Sequence, residues 1–121
     1  MTIDFGIDLG TTNSLIARYK EGKVEVYKNP VGWKNTLPSV VAFRRDRIIV
    51  GDKAKEYVEK DSANVFGFFK RKMGTPETFY VPNLGADKTP IELSALVLKE
   101  LKNFIVDGAA PHSVVITIPA S

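Results

Sequence analysis

The sequence predicts an α/β fold, a mixed sheet with helices packed on it, from three observations. Ile3, Phe5, Ile7 and Leu9 alternate strictly with Asp4, Gly6 and Asp8, the period-two signature of a strand with one buried face. Thr89-Pro90-Ile91-Glu92 opens a long amphipathic helix. Val114 to Ile118 is a continuous β-branched run, apolar but for Thr117, which suits a strand covered on both faces. An antiparallel meander followed by a helical crossover to such a strand gives a mixed sheet. A right-handed crossover sets the last strand parallel to the first. The turn at Gly10–Asn13 and the chain near Pro119 then share one edge.

The elements follow in order. Gly10-Thr11-Thr12-Asn13 ends the first strand, and Leu15-Ile16-Ala17 returns as the second arm of a hairpin. Glu21-Gly22 turns the chain into a third strand at Val24, Val26 and Tyr27. Asn29 to Gly32 is a loop. Ser39 to Phe43 and Ile48 to Val50 form a short hairpin around Arg44-Arg45-Asp46-Arg47, whose arginines suit a solvated turn. Asp52 is a fair N-cap for a helix over 53–60, with Ala54, Tyr57 and Val58 inward. Asp61-Ser62 caps a second helix through Met73, with Val65, Phe66, Phe69 and Met73 on one stripe and Gly74 as its stop. Residues 75–88 read as a loop with a brief strand at Phe79-Tyr80-Val81. In the last helix Thr89 is the N-cap, Pro90 takes the first helical position and Glu92 closes a capping box. Its buried face is Ile91, Ala95, Leu98, Leu101 and Ile105, and it runs to about Val106 before Gly108 and Pro111.

With 121 residues, 44% apolar and 26% charged, the composition is that of one globular domain. There is no cysteine and a single histidine, His112. That excludes a disulfide framework and any cysteine or histidine metal cluster, and leaves phosphate and Mg²⁺ chemistry with oxygen ligands open. The net charge of +3 is slight evidence for nucleic acid, and no nucleic-acid partner is expected. No basic leader and no apolar run of membrane-spanning length is present, so the expectation is a cytoplasmic protein with no membrane partner.

The candidate site is the first turn. Gly10 can take a positive φ and lets backbone N–H groups approach an anion. Thr11 and Thr12 add hydroxyl donors, and Asp8 enters the turn where a carboxylate can hold Mg²⁺ directly or through water. Gly6 leaves room above the strand. No Gly-Lys-Ser/Thr ending follows, so this is not a Walker loop. The same residues also suit a plain turn between strands, and spacing does not choose between the two.

Ile7-Asp8-Leu9-Gly10-Thr11-Thr12-Asn13-Ser14 resembles the first phosphate motif of the DnaK-type, seventy-kilodalton heat-shock chaperones. Five further stretches resemble that family in the same order. They are Leu37 to Phe43 (its Pro-Ser-Val strand), Val50 to Ala54 (its Val-Gly-x-x-Ala helix start), Phe69 to Gly74 (its Lys-Arg helix end), Pro90 to Ala95, and Val115 to Ala120 (its Val-Ile-Thr-Val-Pro-Ala strand). The resemblance implies the actin-like, ribonuclease-H-like ATPase fold, with residues 1–121 as the N-terminal lobe of an incomplete nucleotide-binding domain. It implies that Gly10, Thr11, Thr12 and Asn13 surround the β- and γ-phosphates of ATP or ADP. By the same resemblance Asp8 holds Mg²⁺ through water, Lys70 faces the γ-phosphate and attacking water as the catalytic group, and Pro119 is a nucleotide-coupled hinge. Residues alone read Lys70 as a solvated lysine in a basic run, and Pro119 as a strand end. In the full-length protein the resemblance implies unfolded peptide clients, a J-domain co-chaperone and a nucleotide exchange factor.

The chain departs from the family pattern at Lys34-Asn35-Thr36-Leu37, where the family has Arg-Thr-Thr, and at Ser121, where it has Tyr. The stretch from Gly74 to Pro90 is shorter than the family's, which carries an extra hairpin, so a trimmed outer subdomain is expected. The covered neighbours that Val114–Ile118 calls for also suggest that Ser121 is not the end of the folded unit. Half a cleft alone is expected to bind MgATP weakly and hydrolyse it negligibly. Two other functions share the superfold: a carbohydrate kinase, whose first motif also runs Gly-Ile-Asp-x-Gly-Thr-Thr, and an actin-like structural filament protein. Asn13-Ser14, where those kinases often carry a basic residue, speaks against the first.

Overall fold

The computed structural model describes residues 4–105 and 114–117. Strand β1 (Phe5–Leu9) pairs antiparallel with β2 (Asn13–Lys20), which pairs with β3 (Lys23–Val26). Glu21 and Gly22 both have positive φ, 52° and 76°, as the tight β2–β3 turn requires. Tyr27 follows β3 and stacks on Phe5, ring centroids 6.1 Å apart. β4 (Leu37–Pro38) joins the same sheet by pairing with the start of β2. β5 (Val41–Phe43) and β6 (Ile48–Val50) form the expected hairpin.

The middle of the chain departs from expectation. α1 (Asp52–Lys55) is one turn, not a helix to residue 60. Gly51 occupies the N-cap position, and the Asp52 carboxylate turns instead to Asn29 and Lys34. Of the three residues expected inward, only Ala54 is buried; Tyr57 lies under the Arg44 guanidinium at 4.2 Å, and Val58 is exposed. Residues 62–73 are not a helix either. A short 3₁₀ turn (Ser62–Asn64) leads into β7 (Val65–Phe66), which pairs with β5, and a second 3₁₀ turn covers Phe69–Lys72. Val65 and Phe66 suit a strand as well as a helix. A partner strand was within reach, and Phe68, at φ 57°, breaks any helix before Phe69. Gly74 stops this turn at φ 83°.

The stretch read as a loop holds the brief strand β8 (Phe79–Val81) and also a partner, β9 (Ala86–Lys88), so a small hairpin is kept there. α2 (Pro90–Lys102) begins as expected: Thr89 Oγ1 accepts from the Glu92 N–H at 3.1 Å, and Glu92 Oε1 accepts from the Thr89 N–H at 3.0 Å. Its buried face is as expected in part. Leu101 is buried and Leu98 and Ile105 pack against the core, but Ile91 is 65% exposed and Ala95 is exposed, and Leu93, Val97 and Phe104 are buried as well. Ser94 was the obstacle to reading that stripe. It looks like a polar break, but its hydroxyl donates to the Pro90 carbonyl at 2.7 Å and is carried into the interior satisfied. Gly108 and Pro111 lie outside the described residues.

β10 (Val114–Thr117) runs parallel to β1, with Phe5 opposite Val114 and Asp8 opposite Thr117. The main sheet has the order β10-β1-β2-β3 with β4 attached to β2, and β6-β5-β7 forms a second sheet. The mixed sheet is thus as expected. The burial of its last strand is not: Val114, Val115 and Ile116 are 41–45% exposed at the sheet edge. One apolar cluster, including Phe5, Leu9, Ile16, Val41, Phe43, Phe69, Val97 and Leu101, joins both sheets to α2. No helix among the described residues is long and apolar enough to cross a membrane.

Candidate functional site: a glycine–threonine turn and a buried lysine

The turn between β1 and β2 is closed tightly on itself. A Cβ on Gly10 would stand 2.2 Å from the Asn13 carbonyl oxygen, so only glycine fits without opening the loop. Thr11 is half-buried, while Thr12 and Asn13 are exposed. Thr11 and Thr12 line a cavity of about 380 Å³ shared with Ser39, Lys55, Gly67 and Phe68. The two threonines therefore face a cavity and not a packed interior.

Asp8 is exposed at the end of β1. Its Oδ1 accepts from Thr117 Oγ1 at 3.2 Å, and the same hydroxyl lies 3.3 Å from the Ile7 carbonyl. The parallel pairing of β1 and β10 thus brings Thr117 to the turn. The described residues contain no cluster of three or more metal-ligating side chains. A single carboxylate beside backbone N–H groups suits Mg²⁺, which keeps several waters and shares phosphate oxygens.

Lys70 lies in the 3₁₀ turn after Phe68. The run Lys70-Arg71-Lys72 divides sharply. Lys72 pairs with Glu77 at 3.1 Å, and the Arg71 guanidinium sits 5.4 Å from the centre of the Phe68 ring. Lys70 turns inward, 5% exposed, with its ammonium 5.8 Å from the Phe69 ring centre and no hydrogen-bond partner. Burial pushes its pKa down from 10.5 to about 8. A lysine merely riding on a basic surface run would have none of these properties. Lys70 is not among the residues lining the threonine cavity, although Gly67 and Phe68 at the mouth of its turn are. Pro119 lies outside the described residues.

Sequence reading passed over Ser39 and Lys55, which share the threonine cavity. Ser39 sits in the Pro-Ser-Val stretch that carried part of the resemblance, so a signal existed. Lys55 had none beyond being a cation in a short helix. The loop 29–36 is also more built than expected. Asn29 is buried; its Nδ2 donates to the Thr36 carbonyl at 3.0 Å and to Asp52 at 2.7 Å. Burial works to raise the Asp52 carboxyl, but hydrogen bonds from Lys34 and Asn29 outweigh it and hold the group below the usual carboxylate range.

Comparison with known proteins falls on the same residues. Residues 4–82 match the family model described as Hsp70 protein. The chain is 44% identical over 117 residues to the chaperone protein DnaK of Mycoplasma mobile, covering 95% of this chain and 19% of that protein. It is 44% identical over 120 residues to the chaperone protein DnaK of Ureaplasma parvum, covering 98% and 19%. The Metamycoplasma hominis chaperone protein DnaK is 40% identical over 117 residues. The chain thus spans about a fifth of the length of these relatives. The match favours the chaperone reading over a sugar kinase or a filament protein. With the family model covering both the glycine–threonine turn and Lys70, the chain belongs to the Hsp70 family.

Proposed function

We propose that residues 1–121 form the first lobe of an actin-like ATPase domain whose turn at Gly10–Asn13 grips the β- and γ-phosphates of ATP. The backbone N–H groups and the Thr11 and Thr12 hydroxyls donate to phosphate oxygens. Asp8 holds Mg²⁺ through water, and the ion when bound neutralises charge on the phosphates. Lys70 offsets the charge that develops on the transferred phosphoryl group and orients the attacking water. In the whole protein, ATP binding and hydrolysis in the cytoplasm would govern capture and release of unfolded peptide segments, assisted by a J-domain co-chaperone and a nucleotide exchange factor.

The observation that carries this reading is the Lys70 ammonium, buried and without a partner. A buried cation without an anion is costly, and such groups concentrate where a ligand supplies the missing charge. The test compares full-length protein carrying this lobe with its Lys70→Met variant. Single-turnover hydrolysis of MgATP is expected to fall by about 10²- to 10³-fold, with calorimetric MgATP affinity much less affected. Hydrolysis at the wild-type rate would remove Lys70 from the mechanism.

A further inference from the structure

Two buried hydroxyls, absent from the phosphate reading above, meet beneath the turn. Ser14 and Ser39 are each 1% exposed, and their Oγ atoms are 2.8 Å apart. Ser39 Oγ also lies 2.9 Å from the Gly10 carbonyl oxygen. A carbonyl only accepts, and a serine hydroxyl has one proton to give. Ser39 therefore donates to Gly10 and accepts from Ser14. The Ser39 backbone N–H donates in addition to the Thr12 carbonyl at 2.9 Å. Pro38 has no N–H to offer, so the first donor after β4 is that of Ser39.

Two carbonyls of the turn, Gly10 and Thr12, are thus captured by one residue. No described peptide bond is cis. In a planar trans peptide the C=O of one residue and the N–H of the next point in opposite directions. With the Gly10 and Thr12 carbonyls held toward Ser39, the N–H groups of Thr11 and Asn13 are held away from it. We infer that Ser39 is the positioning residue of the phosphate turn: it aims two backbone donors at an anion by anchoring the carbonyls behind them. The same stretch is fixed on its other side, where the Val40 carbonyl accepts from the Gly51 N–H at 2.9 Å just before α1. Ser39 therefore ties the turn to the joint between the two sheets.

This inference rests on the proposal that the turn binds triphosphate. Its test is MgATP titration of full-length protein carrying this lobe, in wild type, Ser39→Ala, Ser39→Thr and Ser14→Ala. Ser39→Ala strands the Gly10 carbonyl and frees the turn, and is expected to weaken MgATP binding by about tenfold or more. Ser14→Ala leaves Ser39 donating to Gly10 and is expected to bind nearly as wild type; Ser39→Thr keeps the donor and is expected to retain affinity. Equal losses in Ser39→Ala and Ser14→Ala, or no loss in Ser39→Ala, would overturn the inference and leave the phosphate site standing. Wild-type protein that failed to bind MgATP would instead overturn the site itself. Should Ser39→Ala not fold, Ser39→Cys replaces it: affinity retained by threonine and lost by the weakly donating thiol supports the inference, and equal affinity in the two defeats it.

Discussion

Lys70 illustrates how one side chain changes meaning between sequence and structure. By residue type it is the first of three basic residues, set apart from Arg71 and Lys72 only by the family resemblance. In the fold those two find partners at the surface, and Lys70 alone goes inside. Its pKa is pushed below 10.5, so the folded state binds its proton less tightly than the unfolded chain does. The penalty is complete below about pH 8 and is relieved as pH rises from about 8 to 10.5. Without nucleotide, stability from this group should therefore increase across that window. Lys70→Met should raise neutral-pH stability by about 2 kcal/mol, after allowance for solvent screening, and flatten the pH dependence. Urea unfolding at pH 7 and pH 10 measures both. A variant no more stable than wild type at pH 7 would mean that water already satisfies the ammonium.

The start of α2, whose signal lies in a few consecutive residues, formed as expected. The capping box of α2 needs only residues 89–92, and it formed as read. Thr89→Ala removes the acceptor for the Glu92 N–H and should cost about 1 kcal/mol, read as a lower urea midpoint with an unchanged slope. Hydrogen bonding to the Thr89 N–H holds the Glu92 carboxyl below its usual range, and alanine keeps that N–H, so the stability this bond contributes should be lost in variant and wild type alike as acid protonates Glu92. Residues 62–73 failed as a predicted helix because their apolar spacing fits two structures. The choice was made by β5, some twenty residues upstream in the chain, which offered Val65 and Phe66 a partner. The part of the buried stripe of α2 at Leu93 and Val97 was missed for a related reason: Ser94 beside it is polar in composition but satisfied within its own helix.

Across the whole molecule, the parallel pairing of β1 with β10 brings Asp8 and Thr117 together across more than a hundred residues of chain. The apolar cluster beneath it binds both sheets and α2 into one body. On the proposed reading these residues form one wall of a nucleotide cleft, and the chain spans about a fifth of the length of its relatives. The 121-residue chain alone should therefore bind MgATP more weakly than micromolar and show negligible turnover. Calorimetric titration measures this. Micromolar or tighter binding would mean that one lobe suffices to hold the nucleotide.

The mixed sheet, the tight glycine turn with its acid and the start of the long helix are legible in the order of the amino acids. The strands are written in alternation, the turn in a required glycine and the helix start in a four-residue cap. Long-range packing settles which lysine is buried, which residues of α2 turn inward, that 65–66 is a strand, and that Ser39 bonds to the Gly10–Asn13 turn. Those outcomes depend on groups far apart in the chain competing for the same interior, and local periodicity carries no record of who wins that competition.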